Sequence, residues 1–386
     1  MGDSWILYGM LMGLLCQTLG DARPHLGQVK TLAWCLVGLL LTGKVHIPGW
    51  ASHIVSPGQQ QASRERRLYR WLANIRVHAG RLYAPLIREA LRRWGGAKLY
   101  LALDTTTLWG RFTVVYLSVI YRGRAIPLLW QVLESASASV AFAVYEPLLQ
   151  QAARLLPVGA NVVFLGDRGF ANLRLLRAVQ GLGWHFRVRL KGRTWVYRHG
   201  QGTYLRRLCP ALGQAHFYHK VLITKHQFGP VYLAVACPRT SPTDPWYVVS
   251  DEPTDLTTFD EYGLRFDREE LFLDEKSANF QLETSELDDA AALSRLAWVL
   301  AIAILIRTAW GVEAVALQLR RTVDGHWLRG LSYLRIGWHF LRQCLAQRLK
   351  LPTWLDLNSE PDPEPAVASI RKAFELGLSF KVRFFI

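Results

Sequence analysis

The chain has 386 residues, 46 basic and 30 acidic, for a formal charge of +16 and a pI near 9.9. Its 51% hydrophobic content and mean hydropathy of +0.09 exclude a disordered polymer and leave room for two or three domains around a sizeable core. The charge favours a polyanionic partner, because each neutralised phosphate releases counterions; on its own it also fits a ribosome-associated or membrane-surface protein.

The five cysteines, Cys16, Cys35, Cys209, Cys237 and Cys344, are odd in number and widely spaced, which indicates neither a disulfide framework nor a zinc site and fits a reducing cytoplasm. Trp5 to Leu15 is apolar, but Asp3 precedes it and no basic segment leads it, so no secretory signal is expected. The runs Leu32 to Leu41 and Leu296 to Ile306 fall short of the roughly 20 residues that a spanning helix needs, and they read as buried helices.

In chain order, residues 1–97 read as helical and punctuated by Pro24, Gly43 and Pro48. Within them SRERRLYRWLAN, Ser63 to Asn74, sets Arg66, Arg67 and Arg70 on one side of a helix and Leu68 and Leu72 on another. Such a helix suits phosphate contact or groove entry, and equally a solvated face.

A strand-rich core follows over 98–190. KLYLALD closes an alternating strand on Asp104, and NVVFLGD closes a buried strand on Asp167. Between them, Phe112 to Tyr121 and Ala125 to Val132 form a hairpin across Arg122 to Arg124, and Ala141 to Leu156 reads as a helix. Leu173 to Gln180 is a further helix and Trp184 to Lys191 a fifth strand, the ribonuclease-H-like order of elements.

His185 to Arg207 carries Arg187, Arg189, Lys191 and Arg193 among aromatic residues with no acid, as a DNA-gripping surface requires; a merely solvated basic face is the alternative. Residues 191–250 read as a β-rich insertion into the core. Residues 251–310 return to the core and contain YGLRFDREELFLDEK, in which Tyr262, Arg265, Glu269 and Lys276 fall within roughly 60° of one helix face. That face combines a hard oxygen ligand with two phosphate-gripping cations. Asp267 and Glu270 lie off the stripe and rival Glu269 as the third acid. Two strand-end Asp and a helix-borne Glu are the minimum set that holds two divalent cations about 4 Å apart for phosphodiester cleavage. Residues 311–386 are Arg-rich helices, then PTWLDLNSEPDPEP, which reads as an exposed linker, then a tail.

Together LALDTTTL, FLGDRGFAN and the Tyr-(2)-Arg-(3)-Glu-(6)-Lys spacing resemble the insertion-sequence-four branch of cut-and-paste DDE transposases, from about Tyr100 to about Ile306. The resemblance implies an α+β or α/β ribonuclease-H-like mixed sheet with flanking helices, interrupted by a β-rich insertion. It implies binding of terminal inverted repeats, two-metal cleavage and strand transfer through a hairpin intermediate, with Asp104, Asp167 and Glu269 holding two Mg²⁺, or Mn²⁺ in their place. Tyr262, Arg265 and Lys276 would position the terminal phosphate, and the N-terminal helices would bind the transposon ends. Trp246, opening WYVVSDEP, would hold a flipped base; packing in the core is the alternative for that side chain. Partners would be double-stranded DNA, transposon end and target, and a second copy in a homodimer assembled on DNA, with no membrane, in a prokaryotic cytoplasm at the nucleoid. Competing readings are a ribonuclease-H-like nuclease that does not integrate and an inactive DNA-binding relative.

Overall fold

The computed structural model describes residues 2–20, 24–56, 60–239, 241–267, 280, 282–285, 287–366 and 381–385. The chain opens with helices α1 (Asp3–Leu19), α2 (Leu26–Thr42), α3 (Ile47–Ser52), α4 (Gln61–Ala73) and α5 (Ala79–Ala90). Strands β1 (Lys98–Leu108), β2 (Phe112–Tyr121) and β3 (Arg124–Glu134) form a meander. Helix α6 (Phe142–Leu155) returns the chain to β4 (Asn161–Gly166), and α7 (Leu173–Gly181) leads to β5 (His185–Arg189).

Strands β1 to β5 stand in the order 3-2-1-4-5. The β1–β2 and β2–β3 pairs are antiparallel, and the β1–β4 and β4–β5 pairs are parallel. This is a ribonuclease-H-like sheet. Each of the two parallel pairs is reached through a helix, as parallel pairing demands. β2 is buried along its whole length and holds a run of β-branched and aromatic residues, the pattern of a strand covered on both faces.

The sheet does not stop at β5. Strands β6 (Trp195–Arg198), β7 (Gln201–Tyr204), β8 (Gln214–Ile223), β9 (Phe228–Cys237) and β10 (Trp246–Ser250) continue it as β5-β10-β9-β8-β6-β7, because β10 pairs antiparallel with β5. The β-rich residues thus extend the core sheet edge to edge. A short β11 (Lys381–Phe385) lies parallel to β8.

The remaining helices are α8 (Thr257–Gly263), α9 (Ala290–Ala316), α10 (Arg320–Val323) and α11 (Tyr333–Gln347). The apolar run Leu296 to Ile306 is the centre of α9, a 27-residue helix long and apolar enough to cross a membrane, yet 83% of its most apolar window is buried here. It packs against β3, α2, α4, α5 and α11, so the N-terminal helices and the sheet share one hydrophobic core. The expected buried helix is present, and it extends beyond the apolar run at both ends.

Two glycines let α9 and α11 touch backbone to backbone. A Cβ on Gly337 would overlap the Arg307 carbonyl oxygen, and one on Gly311 would overlap the Tyr333 carbonyl oxygen. Arg295, buried in α9, donates to the Leu72 carbonyl at 2.7 Å and the Val77 carbonyl at 3.3 Å, satisfying acceptors in the last turn of α4 and just past it.

The segment 352–365 corrects a second expectation, since it is a strap tied to the body. Tyr333 donates to Asp362 at 2.5 Å, Arg329 pairs with Asp362 at 2.9 Å and Arg320 pairs with Glu364 at 2.6 Å. Leu355 and Leu357 are buried, and the indole of Trp94 donates to the Leu357 carbonyl. Asp362 and Glu364 are therefore counterions for buried arginines.

Candidate active site

Asp104 lies within β1 and not at its end, because Thr105 to Leu108 go on pairing with Val115 to Phe112. Asp167 follows the last residue of β4 directly. In the parallel β1–β4 ladder Leu103 faces Gly166, so the next residue of each strand is an aspartate, and the two acids stand side by side at the centre of the sheet. Adjacent strands are about 4.8 Å apart.

Each carboxylate is oriented locally. Asp104 Oδ1 accepts from the Thr105 amide at 2.8 Å, and Asp167 Oδ1 accepts from the Gly169 amide at 2.6 Å. A Cβ on Gly169 would sit 2.9 Å from Asp167 Oδ1, so this tight turn requires glycine for the carboxylate to keep its position. Arg265 Nη1 lies 3.4 Å from Asp104 Oδ2, and its side chain is 9% exposed. Asp104 thus meets a cation across the site, from the segment that leads to the expected third acid.

That segment is not one uninterrupted α-helix. Helix α8 covers Tyr262 and then tightens into a 3-10 turn over Leu264–Phe266, with Asp267 beyond it. Glu269, Glu270 and Lys276 lie outside the described residues. Tyr262 is fully buried, with its ring against Trp246 (centroids 5.6 Å apart), and Phe259 and Phe266 complete the cluster. Burial pushes its phenol up and the Arg265 guanidinium opposes that shift. Trp246 opens β10 partly buried in the same cluster, the core-packing arrangement.

Two expected DNA contacts are corrected. Arg187, 4% exposed, has its Nη2 2.7 Å from Glu252 and its Nε 2.7 Å from Glu261, with a further bond from Nη1 to Ser250 Oγ at 3.0 Å. Arg189, 7% exposed, pairs with Asp244 at 2.6 Å. Both charges are spent inside the protein, because an uncompensated buried charge is costly. Lys191 and Arg193 do lie on the surface, in the turn between β5 and β6. On α4, Arg66 and Arg70 are exposed, and Arg67 donates to Thr31 Oγ1 at 3.1 Å. Arg67 and Arg70 with Arg76 line a concavity of about 600 Å³ between α2 and α4 that has no acid in its wall.

Glu261 was not singled out by sequence. Its Oε1 accepts from Lys98 Nζ at 2.8 Å and from the Tyr100 hydroxyl at 2.9 Å, while Oε2 faces Arg187. Burial opposes ionisation there, but the bonds from Lys98, Arg187 and Tyr100 hold its carboxyl below the usual range. One carboxylate therefore joins the start of β1, β5 and α8. Its one available sequence signal was its place immediately before Tyr262.

As donors, Asp104 and Asp167 fit a hard divalent cation: both are carboxylates, on neighbouring strands and on the same register step. Among the described residues no cluster of three metal-ligating side chains is present, and the third expected ligand, Glu269, lies outside them.

The sequence profile of the transposase DDE domain family matches residues 96–306, more than half of the chain. The chain belongs to this family. The matched transposase domain starts just ahead of β1 and ends within α9, so it contains both aspartates, Arg265 and the Glu261 network. No curated protein matches the chain. Among solved structures, a cryo-EM structure of piggyBac transposase in a synaptic complex with hairpin DNA aligns over 92% of this chain and 83% of that chain, at 10% identity and a TM-score of 0.45.

Proposed function

We propose that this transposase domain cuts and rejoins DNA at the ends of an insertion sequence, as a member of the insertion-sequence-four branch. The observation that carries the reading is the pairing of Asp104 with Asp167 on adjacent parallel strands of a ribonuclease-H-like sheet, with Arg265 against Asp104. Asp104, Asp167 and Glu269 would hold two Mg²⁺, or Mn²⁺, which supply an activated water or 3′-hydroxyl and a stabilised leaving oxygen. The Thr105 and Gly169 amides bond to the Asp104 and Asp167 carboxylates, so these two of the three ligands would be oriented before DNA arrives.

Arg265 and Lys276 would grip the terminal phosphate, and Tyr262 would act by packing, since its ring is buried. Lys191 and Arg193 would track the backbone near the core, and the Arg67, Arg70 and Arg76 concavity, with Arg66 beside it, would take backbone phosphates of the terminal repeat. Trp246 would support the Tyr262 segment, and a flipped base reaches it only if that cluster opens. Two ends cut in concert require a homodimer on DNA, in a prokaryotic cytoplasm at the nucleoid.

The test is cleavage and joining of a labelled duplex that carries the flanking terminal repeat, with Mg²⁺, by the native chain and by Glu269→Ala. Nicked, hairpin and joined products from the native chain alone, with DNA binding kept in the variant, are expected. Cutting without joining would favour a non-integrating nuclease, and cutting by Glu269→Ala would pass the third position to Glu270 or Asp267.

A further inference from the structure

Beside Asp167, four segments close around a pocket of about 390 Å³, within the range of small-ligand sites, roughly 300–1,000 Å³. The turn after β4 brings Arg168, the β5–β6 turn brings Lys191 and Arg193, the β6–β7 hairpin brings the rings of Trp195 and Tyr204, and the β8–β9 turn brings Lys225. Backbone bonds fix this frame: the Thr224 amide donates to the Trp195 carbonyl at 2.6 Å, the Leu205 amide to the Thr194 carbonyl at 2.8 Å and the Arg206 amide to the Gly192 carbonyl at 2.9 Å.

No carboxylate lines the pocket. Arg168 pairs with Asp244 at 3.2 Å, whereas no acid pairs with Lys191, Arg193 or Lys225 among the described residues. Trp195 and Tyr204 meet edge to face with centroids 4.8 Å apart, and each is partly exposed to the pocket. A cluster of cations alone would suit any anion. Cations joined to ring surface suit a ligand with both a phosphate and a flat heterocycle.

We propose that this pocket binds one unpaired nucleotide of the DNA strand at the cut end, with its phosphate on Lys191, Arg193 and Lys225 and its base against Trp195 or Tyr204. The inference rests on the transposase reading and gives it a specific strand-holding site, set next to Asp167 and separate from the buried Trp246 cluster. Unpaired bases take such a site because their stacking partners are already lost, and a duplex keeps its bases inside.

The experiment uses the full chain and two duplexes that carry the terminal repeat with its flanking DNA, one blunt and one with a three-nucleotide single-stranded 3′ extension carrying 2-aminopurine. Native protein is expected to bind the extended duplex several-fold more tightly than the blunt one and to quench the 2-aminopurine. Trp195→Ala is expected to lose the quench and most of that preference, Trp195→Phe to keep a part of both, and Lys225→Ala to weaken the preference with the fold intact by circular dichroism. An unchanged quench and preference in Trp195→Ala, with native-like circular dichroism, would overturn the proposal. Loss of preference in Lys225→Ala alone, with Trp195→Ala unaffected, would reduce the pocket to a phosphate site and also overturn it. If the native chain binds and cuts the blunt duplex yet shows no preference for the extension, the pocket fails while the transposase reading stands; if it binds neither duplex, both fail.

Discussion

Arg187 Nε lies 2.7 Å from Glu261 Oε2, and this pair fixes α8, which leads to Arg265, against the sheet that carries Asp104. The same carboxylate receives Lys98 and Tyr100 from the first residues of β1. Removing Glu261 leaves Arg187 with Glu252 as its close counterion, so the cost falls below the roughly 3–5 kcal/mol of a wholly uncompensated buried charge, on the order of 2 kcal/mol. Glu261→Gln is therefore expected to lower stability by roughly that amount in urea unfolding. The double variant Glu261→Met with Arg187→Met should recover part of the loss; a single variant within about 0.5 kcal/mol of native would show the network to be incidental.

The pH dependence follows from the same group. Glu261 and Asp244 both have carboxyls held below their ordinary values, with Asp244 lowered first by its bond from Arg189. A carboxyl depressed in the folded state stabilises it fully above the unfolded value, 4.5 for Glu261 and 3.8 for Asp244, and loses that stabilisation as pH falls from there through the folded value. Stability should decline as pH drops below about 4.5, and Glu261→Gln should flatten the upper part of that decline. An identical acid limb in variant and native protein, measured by thermal unfolding against pH, would contradict the assignment.

Gly169→Ala should separate activity from stability. Its Cβ would press on Asp167 Oδ1 from 2.9 Å in an exposed turn, so the carboxylate moves and the fold does not. Strand cleavage is expected to fall at least about tenfold, since a displacement near 1 Å can cost about 100-fold. The unfolding midpoint should stay within about 1 °C, as for an exposed change of this size. Full cleavage activity in the variant would show that this carboxylate position is not used.

Gly337→Ala is expected to do the opposite. Its added methyl meets the Arg307 carbonyl across the α9–α11 crossing, and overpacking of this kind costs about 1–3 kcal/mol or more. Poor yield or a lower unfolding midpoint should appear without any specific loss of DNA affinity per folded molecule.

Much of the catalytic half was legible, because β1 to β5 announce themselves by alternation or buried runs, and the two aspartates follow apolar strands. Asp104 was placed at a strand end, since Thr105 to Thr107 look like a turn; pairing with Val115 to Thr113 holds them in the ladder. The fates of Arg187 and Arg189 were not legible, because Glu252, Glu261 and Asp244 lie more than 50 residues away and only the fold brings them together. Composition likewise suggested a solvated linker over 352–365, whereas Asp362 and Glu364 neutralise Arg329 and Arg320, two buried arginines that also required distant partners.

The central claim is that Asp104 and Asp167 are metal ligands of one site, and a change of ligand softness tests it most directly. Strand cleavage by Asp104→Cys and Asp167→Cys would be measured in Mg²⁺ and in Mn²⁺, because a thiolate suits the softer ion better than the harder. The account predicts a loss of more than about 100-fold in Mg²⁺ for each variant, given that even outer-shell partners of a metal cost roughly 10- to 100-fold, with partial recovery in Mn²⁺. Native-like cleavage in Mg²⁺ by either variant would contradict it.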